Sequence, residues 1–282
     1  MALGIRGHDL SATSPHQLAS EIAQRGLGCL QLALPRSFNI GTSVGELTPG
    51  LAHKVGKAFQ ANDVQIAVLG CYINIIHPDI DIRSAELERF KEYIRFCRDF
   101  GCGVVGTETG NVNEEIAYTT DNFNEQAFQA VVESVKLLVA EAEKYGVIVG
   151  IEPGVNHPIY SPQTMHRLLE EVGSSNLQVI FDPTNLITID NHEDQQQIFQ
   201  QALDLWGENI IVLHAKDYAI NDGKVAQVPL GTGLMEYTTI MRYLNDHKPG
   251  INIIMDEIDH KDIPEAKAFM QQFMTANFLD AD

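Results

Sequence analysis

Two short apolar runs, Val147-Ile-Val-Gly-Ile-Glu152 and Gln178-Val-Ile-Phe-Asp182, decide how this chain folds. Each run has the length of a β-strand and ends in a carboxylate. A stretch with helical periodicity, residues 163–172, separates the two runs. A strand, a helix and a second strand in this order indicate a βαβ unit, in which the two strands lie parallel in one sheet.

The same unit recurs along the whole chain. The predicted strands are residues 3–6, 28–34, 64–71, 103–107, 147–152, 178–182, 210–214 and 251–256. The predicted helices are residues 85–100, 123–145, 163–172, 195–206, 237–246 and 264–273, and Gly101, Gly146 and Gly173 follow helix ends as C-terminal caps do. No Gly-x-Gly-x-x-Gly motif of a dinucleotide-binding sheet follows the first strand. The pattern therefore predicts an α/β fold, a (β/α)8 TIM barrel.

Length and charge limit the organisation and the partners of the chain. The 282 residues suit one barrel, and no low-complexity linker divides them, so residues 1–282 are predicted to form a single domain. Acidic residues outnumber basic ones by 38 to 19, which gives a formal net charge of -19. Such a surface repels phosphate backbones and anionic lipids. We therefore expect a small-molecule substrate, no nucleic acid and no membrane partner.

The cysteines and the hydrophobic pattern indicate a cytoplasmic protein. The four cysteines, at positions 29, 71, 97 and 102, form neither a Cys-x-x-Cys motif nor a disulfide ladder. No basic start followed by an apolar run has the pattern of a signal peptide, and no run approaches the ~20 apolar residues of a membrane-spanning helix. The sequence leaves open whether the chain forms a homo-oligomer.

Four late strands end in side chains that can bind a metal. These are Glu152, Asp182, His214 and the adjacent acids Asp256 and Glu257. The C-terminal ends of parallel barrel strands all open on one face, so these side chains are expected to converge there. Carboxylate and imidazole ligands together suit Mn²⁺, Zn²⁺, Co²⁺ or Fe²⁺ better than Ca²⁺, with Mg²⁺ as a further alternative. The sequence predicts one divalent metal ion at this face.

The last strand presents two adjacent acids, of which only one can face the barrel interior. If Asp256 points inward, Ile254 and Asn252 do so as well, and the apolar residues between them face the helices. The opposite register would bury Asn252 beneath a helix, where an unpaired amide is costly. This pattern favours Asp256 as the ligand and leaves Glu257 as the alternative.

Six motifs extend over almost the whole chain. They are Ile5-Arg-Gly-His-Asp9, Cys71-Tyr-Ile-Asn-Ile-Ile-His-Pro78, Ile151-Glu-Pro153, Phe181-Asp-Pro-Thr-Asn185, His214-Ala-Lys-Asp217 and Pro229-Leu-Gly-Thr-Gly-Leu-Met-Glu-Tyr237. With these motifs the chain resembles the sugar phosphate isomerase/epimerase family of xylose-isomerase-like barrels. In that family a Glu, an Asp, a His and a final acid hold the metal. The resemblance implies the ligands Glu152, Asp182, His214 and Asp256, although the final family ligand is usually Glu.

The resemblance also implies a metal-dependent isomerase or epimerase that acts on a sugar or sugar phosphate. Glu152 would abstract a proton next to a carbonyl that the metal polarises, and Asp256 or Glu257 would return it. The candidate substrate contacts near strand ends are His8, Asn74, Glu108, His157, Asn185 and Lys216. Helix-capping or loop roles remain open for most of them, and Lys216 could instead pair with Asp217 or another acid.

Three other functions are compatible with the same fold. A lyase that resembles inosose dehydratase would use the same metal and base but expel water. An AP endonuclease would need a basic rim for phosphates, which the acidic composition disfavours. A non-catalytic barrel would bind a sugar without turning it over. The sequence does not decide the sugar, its phosphorylation or the metal.

Overall fold

Eight parallel strands close into a barrel in the computed structural model, which describes residues 1–274. The strands of this described part, in chain order, are β1 (Ala2–Arg6), β2 (Cys29–Leu32), β3 (Gln65–Gly70), β4 (Val104–Glu108), β5 (Ile148–Glu152), β6 (Leu177–Phe181), β7 (Ile210–Ala215), β8 (Asp217–Asn221), β9 (Lys224–Val228) and β10 (Asn252–Met255). The barrel order is β1-β10-β7-β6-β5-β4-β3-β2, and β8 pairs with β9 in a separate antiparallel hairpin. All eight predicted strands belong to the barrel, so the predicted (β/α)8 fold is confirmed.

Helices cover the outside of the barrel. They are α1 (Pro15–Gln24), α2 (Leu34–Phe38), α3 (Pro49–Gln60), α4 (Ile80–Phe96), α5 (Glu125–Tyr145), α6 (Pro162–Val172), α7 (Gln195–Trp206), α8 (Thr238–His247) and α9 (Ile263–Gln271). In the described residues, no helix has both the length and the apolar character that a membrane crossing requires. The predicted helix at 85–100 begins five residues earlier and ends in a 3-10 turn, Cys97–Phe100.

Sequence reasoning missed α1, α2, α3 and the β8–β9 hairpin. Helix α1 follows the N-cap Ser14 and α3 follows the N-cap Thr48, and both helices begin with Pro. This combination is a recognisable signal for the start of a helix. The predicted caps were correct: Gly101, Gly146 and Gly173 adopt the left-handed conformation that ends a helix without steric cost.

The core has two layers, one inside the barrel and one between the barrel and the helices. The layer to which each residue of β10 belongs shows which way its side chain faces. A small cluster inside the barrel contains Val68, Val104, Ile180, Val212 and Ile254. The larger cluster between barrel and helices contains Ile253 and Met255. Ile254 therefore faces inward and its neighbours face outward, so the predicted alternation along β10 is confirmed.

The β8–β9 hairpin rises directly from the end of β7, and Asp217 ties it to the loop that follows. Its carboxylate accepts hydrogen bonds from the backbone N–H groups of Gly231, Gly233 and Met235. A side chain at position 233 would collide with Asp217, so the loop needs glycine there. The Asp of the His-x-Lys-Asp motif thus has a structural partner, which is the Gly-Thr-Gly loop.

We expect Gly4→Ala to destabilise the barrel by about 3 kcal/mol, because overpacking a rigid core displaces backbone. Gly4 pairs with Cys29 between β1 and β2, and an added Cβ would collide with the Cys29 carbonyl. Gly50→Ala in the first turn of α3 is the matched control, since an added Cβ meets no atom within 4 Å. Denaturant unfolding measures both variants, and equal stability of the two would contradict this packing.

Candidate active site

The four predicted metal ligands come together at the C-terminal end of the barrel. Glu152 ends β5, Asp182 follows β6, His214 lies on β7 and Asp256 follows β10. One ligand atom of each lies within 4.8 Å of the corresponding atoms of the others, and all four side chains are buried. Their proximity follows from the parallel strands, whose ends open on one face of the barrel.

The separations within the cluster fit a bound cation. His214 Nδ1 lies 3.4 Å from Glu152 Oε2 and 3.4 Å from Asp256 Oδ2, yet within residues 1–274 it makes no hydrogen bond. A divalent cation with bonds of about 2.0–2.2 Å holds neighbouring ligand atoms roughly 3 to 3.5 Å apart. An orphaned buried nitrogen at this spacing from carboxylates is therefore what a metal ligand requires, and the residues fit a divalent metal.

Lys216 supplies a second positive charge at the cluster. Its Nζ lies 2.9 Å from Asp182 Oδ2 and 3.1 Å from Asp256 Oδ2, so its partners are two cluster carboxylates and not Asp217. Burial disfavours the charged ammonium, but the carboxylates of Asp182 and Asp256 outweigh it and raise the pKa of Lys216 well above its ordinary value. Lys216 also lines a polar cavity that opens above the cluster and is described below.

Arg6 holds Asp256 from the opposite side. Arg6 Nε lies 2.6 Å from Asp256 Oδ1, and Arg6 also binds both carboxylate oxygens of Asp9. Burial opposes ionisation of Asp256, but Lys216, His214 and Arg6 together keep its pKa below the ordinary value. Asp9 therefore lies outside the ligand cluster and orients Arg6.

Glu257 does not join the ligand cluster. Its backbone has a positive φ of 53°, its side chain is 45% exposed, and Oε1 lies 3.6 Å from Arg6 Nη1. Of the two adjacent acids, only Asp256 reaches the other three ligands. Glu257 remains at the wall of the cavity.

The pKa values of the other three cluster residues are shifted in different directions. Burial raises the pKa of Asp182 to about 6 despite the nearby Lys216 ammonium. Burial works in the same direction on Glu152, but His214 and Lys216 outweigh it and lower its pKa. Burial opposes protonation of His214, whereas Glu152 and Asp256 raise its pKa to about 8. The cluster thus attracts positive charge strongly.

A polar cavity of about 490 Å³ opens above the cluster. Its wall includes Tyr72, Glu108, His157, Asn185 and Lys216, together with Arg6, Arg36 and Glu257. Four of the six predicted substrate contacts therefore face this space. Asn185 Nδ2 donates to Glu152 Oε1 at 2.7 Å, and His157 Nδ1 lies 2.8 Å from the carbonyl of Gly110.

Glu108 stands beside Glu152 in this cavity. The two residues are register partners at the ends of β4 and β5. Burial, and then the neighbouring Glu152 carboxylate, raise the pKa of Glu108 above its ordinary value. Glu108 is thus a half-buried acid whose pKa is shifted upward beside the Glu152 carboxylate, whose own pKa is shifted downward.

The other two predicted substrate contacts lie elsewhere. The Asn74 amide donates to the carbonyls of Asn111 and Asn113 and accepts from two backbone N–H groups, so this residue joins two loops. Asn74 is not among the residues that line the cavity, and its side-chain amide is engaged by backbone groups. His8 packs edge-on against Tyr72, and burial, followed by Arg6 and Arg36, lowers its pKa to about 4.

Sequence reasoning missed three residues near the site. Gln31 lies behind His214, Tyr72 lies in the cavity wall, and Arg36 stacks over the Tyr72 ring at 4.2 Å. A polar residue within the apolar run Cys29-Leu-Gln-Leu32 was the available signal for Gln31. Tyr72 belongs to the Cys71–Pro78 motif, which was the available signal for it, and nothing in the local sequence distinguishes Arg36.

Comparisons with known proteins agree with this architecture. Residues 19–274 match the family model of the xylose isomerase-like TIM barrel. Among curated proteins, none matches the sequence. A solved D-tagatose 3-epimerase-like protein is 16% identical with a TM-score of 0.75, and the match covers 97% of each chain.

Two further solved structures share the fold at 16% identity. One is a D-psicose 3-epimerase with D-tagatose from Clostridium cellulolyticum H10, with a TM-score of 0.72 and coverage of 97% of this chain and 98% of that one. The other is the "probable 3-DHS dehydratase AsbF involved in the petrobactin synthesis from Bacillus anthracis", with a TM-score of 0.73 and coverage of 98% and 100%. Since the family match spans nearly the whole chain, the protein belongs to the xylose isomerase-like TIM barrel family.

Proposed function

We propose that this protein is a divalent-metal-dependent isomerase or epimerase that transfers a proton next to the carbonyl of a sugar or sugar phosphate. The observation that carries this proposal is the buried cluster of Glu152, Asp182, His214 and Asp256 at the base of a polar cavity. The family and its epimerase neighbours support the same reaction class.

The four clustered side chains would hold the metal. Mn²⁺, Zn²⁺, Co²⁺ and Fe²⁺ suit this mixed donor set, and Mg²⁺ is a further alternative. When bound, such an ion supplies Lewis acidity, which polarises a substrate carbonyl and makes the neighbouring C–H acidic. The remaining chemistry depends on carboxylates of this chain.

We infer that Glu152 is the base that removes this proton. Its carboxylate is buried beneath the cavity, and Asn185 fixes its orientation through the hydrogen bond to Oε1. A pKa below the ordinary value keeps the group ionised and able to accept a proton. A positioned carboxylate of this kind contributes about 10²- to 10⁴-fold to the rate.

The proton must return from a second acid, and three candidates surround the cavity. Asp256 is held as a carboxylate between Arg6 and Lys216, which makes it a ligand and a poor proton donor. Glu257 stands at the exposed wall. Glu108 is half-buried in the cavity wall beside Glu152 and is the one of the three with a raised pKa, so we propose Glu108 as the donor.

The cavity suits a small, hydroxylated substrate. Its volume lies within the range of roughly 300–1,000 Å³ that is typical of small-molecule sites. The polar groups of Tyr72, His157, Asn185 and Lys216 could contact hydroxyl or carbonyl oxygens. We therefore expect an open-chain sugar or a polyol-derived ketone.

A dehydratase is the second candidate function, because one solved neighbour carries that description. Glu152 would again remove the proton next to the carbonyl, with the metal as Lewis acid, and the hydroxyl on the adjacent carbon would take a proton from the second acid and leave as water. Product analysis separates the two reactions, since a lyase forms an unsaturated product and an epimerase only inverts a centre.

The first experiment is a metal-binding measurement. Protein purified without chelator, or supplied with metal, is expected to bind about one equivalent of Mn, Zn, Co, Fe or Mg. Asp182→Ala, His214→Ala and Asp256→Asn should weaken this affinity by more than the roughly 10- to 100-fold that changes outside the ligand set cause. Glu257→Gln is the matched control for Asp256→Asn and should retain the metal.

Elemental analysis and titration give these affinities, and thermal unfolding checks that each variant folds. Full metal occupancy in one of the three ligand variants would remove that residue from the set. A well-folded wild-type protein that binds none of the five metals would refute the site.

Proton transfer predicts solvent isotope incorporation. A true substrate incubated in D₂O should gain deuterium at the reacting carbon, as measured by NMR or mass spectrometry. Glu152→Gln with metal still bound should lower this exchange by about 10²- to 10⁴-fold, because the base is lost. Efficient turnover without label would argue for an intramolecular hydride transfer, in which Glu152 is not the base.

The role of the second acid is tested by measuring two rates separately, the exchange of deuterium into recovered substrate and the conversion of substrate to product. Glu108→Gln should still exchange deuterium into recovered substrate through Glu152, but net conversion should fall by about 10²- to 10⁴-fold. Glu257→Gln is the control and should reduce conversion far less. If the effects are reversed, Glu257 and not Glu108 returns the proton.

A further inference from the structure

A buried chain of hydrogen bonds lies behind His214. Gln31, on β2, is 2% exposed, and its Oε1 lies 3.0 Å from His214 Nε2. The Nε2 of Gln31 donates to the hydroxyl of Tyr72 at 2.5 Å. Both ends of the Gln31 amide are thus used, one toward a cluster residue and one toward the cavity wall.

This arrangement determines which nitrogen of His214 carries the proton. A glutamine oxygen only accepts hydrogen bonds, so His214 Nε2 must be the donor. A neutral imidazole then has its lone pair on Nδ1. That nitrogen is the one that lies 3.4 Å from carboxylate oxygens of both Glu152 and Asp256.

The alternative orientation of the Gln31 side-chain amide, with its oxygen and nitrogen exchanged, is less favourable. Rotating the Gln31 amide would aim its NH₂ group at His214 Nε2 and move the imidazole proton to Nδ1. A proton on Nδ1 would face the Glu152 and Asp256 carboxylates at 3.4 Å, a separation longer than that of an ordinary N–H···O bond, and no described residue accepts it in good hydrogen-bond geometry. Leaving a buried donor unsatisfied costs free energy, whereas a proton on Nε2 is used by Gln31.

We propose that Gln31 is a positioning residue that presets His214 to bind the metal through Nδ1, and that Tyr72 holds Gln31 in the required orientation. This inference rests on the proposed metal site. Metal-bound histidines commonly donate their second ring N–H to a fixed acceptor, which orients the ring and increases its basicity. Gln31 is that acceptor here.

The geometry of the barrel explains why β2 supplies this residue. Gln31 is the register partner of Arg6 on β1, and it lies two residues after Cys29, which faces the barrel interior. Its side chain reaches across the interior to β7. Because Tyr72 lines the cavity and accepts from Gln31, its own hydroxyl proton remains able to donate to a substrate oxygen.

The test compares substitutions that remove or keep the acceptor. Gln31→Met removes it at similar volume and should weaken Mn²⁺ and Co²⁺ binding by about 10- to 100-fold. Gln31→Glu keeps an oxygen acceptor and should restore most of the affinity. Tyr72→Phe leaves Gln31 in place without its partner and should cause a smaller loss than Gln31→Met.

Gln178→Met is the matched control, because it makes the same substitution on another barrel strand. Gln178 donates to the Ser175 carbonyl, away from the ligand cluster, so metal affinity should not change. Thermal unfolding of the metal-free variants checks that each one folds. Equal weakening by Gln31→Met and Gln178→Met would show a general packing effect and overturn the positioning role.

A direct readout is the tautomer of His214 in Zn²⁺-loaded wild-type protein. Nitrogen-15 NMR of the histidine rings should show the proton on Nε2, with the signal identified by its absence in His214→Ala. A proton on Nδ1, or unchanged affinity in Gln31→Met, would overturn this inference and leave the proposed function intact. A wild-type protein that binds no metal would overturn both.

Discussion

Three carboxylates buried within a few ångströms of one another are the constraint on which the rest of this site depends. Glu152, Asp182 and Asp256 repel each other in a region from which water is largely excluded, so they require positive charge close by. Lys216 and Arg6 supply part of it through ion pairs with the cluster. His214 Nδ1, which lies 3.4 Å from Glu152 and Asp256 without a hydrogen bond among the described residues, leaves room in this cluster for a bound cation.

The barrel tolerates this concentration of charge because the apolar core that stabilises the fold is separate from the charged cluster at the strand ends. The two apolar layers lie below the strand ends and between barrel and helices, and they contain residues such as Ile180, Val212 and Trp206. The charged cluster lies above them at the rim. Asp217 illustrates the same division, because it lies three residues after His214 but binds the backbone of the Gly-Thr-Gly loop.

Proton transfer at this site would depend on carboxyl groups in contrasting surroundings. Cationic neighbours lower the pKa of Glu152, whereas Glu108, at the end of the adjacent strand β4, has no ion pair among the described residues and has a raised pKa. Two acids of one residue type can thus take opposite roles, because burial and neighbouring charge set their pKa values in opposite directions. The same contrast would serve an epimerase or a dehydratase.

The amino-acid sequence by itself determined the barrel, because strand and helix periodicities are local properties of the chain. It also predicted the convergence of Glu152, Asp182 and His214, since parallel strands bring their C-terminal ends to one face. The alternation along β10 was enough to favour Asp256 over Glu257. Only the tertiary structure assigned Asn74 to a loop contact, Lys216 to two carboxylates and Gln31 to the back of His214. These contacts join residues far apart in sequence, such as positions 31 and 214, and no local pattern encodes which distant side chain meets a buried polar group.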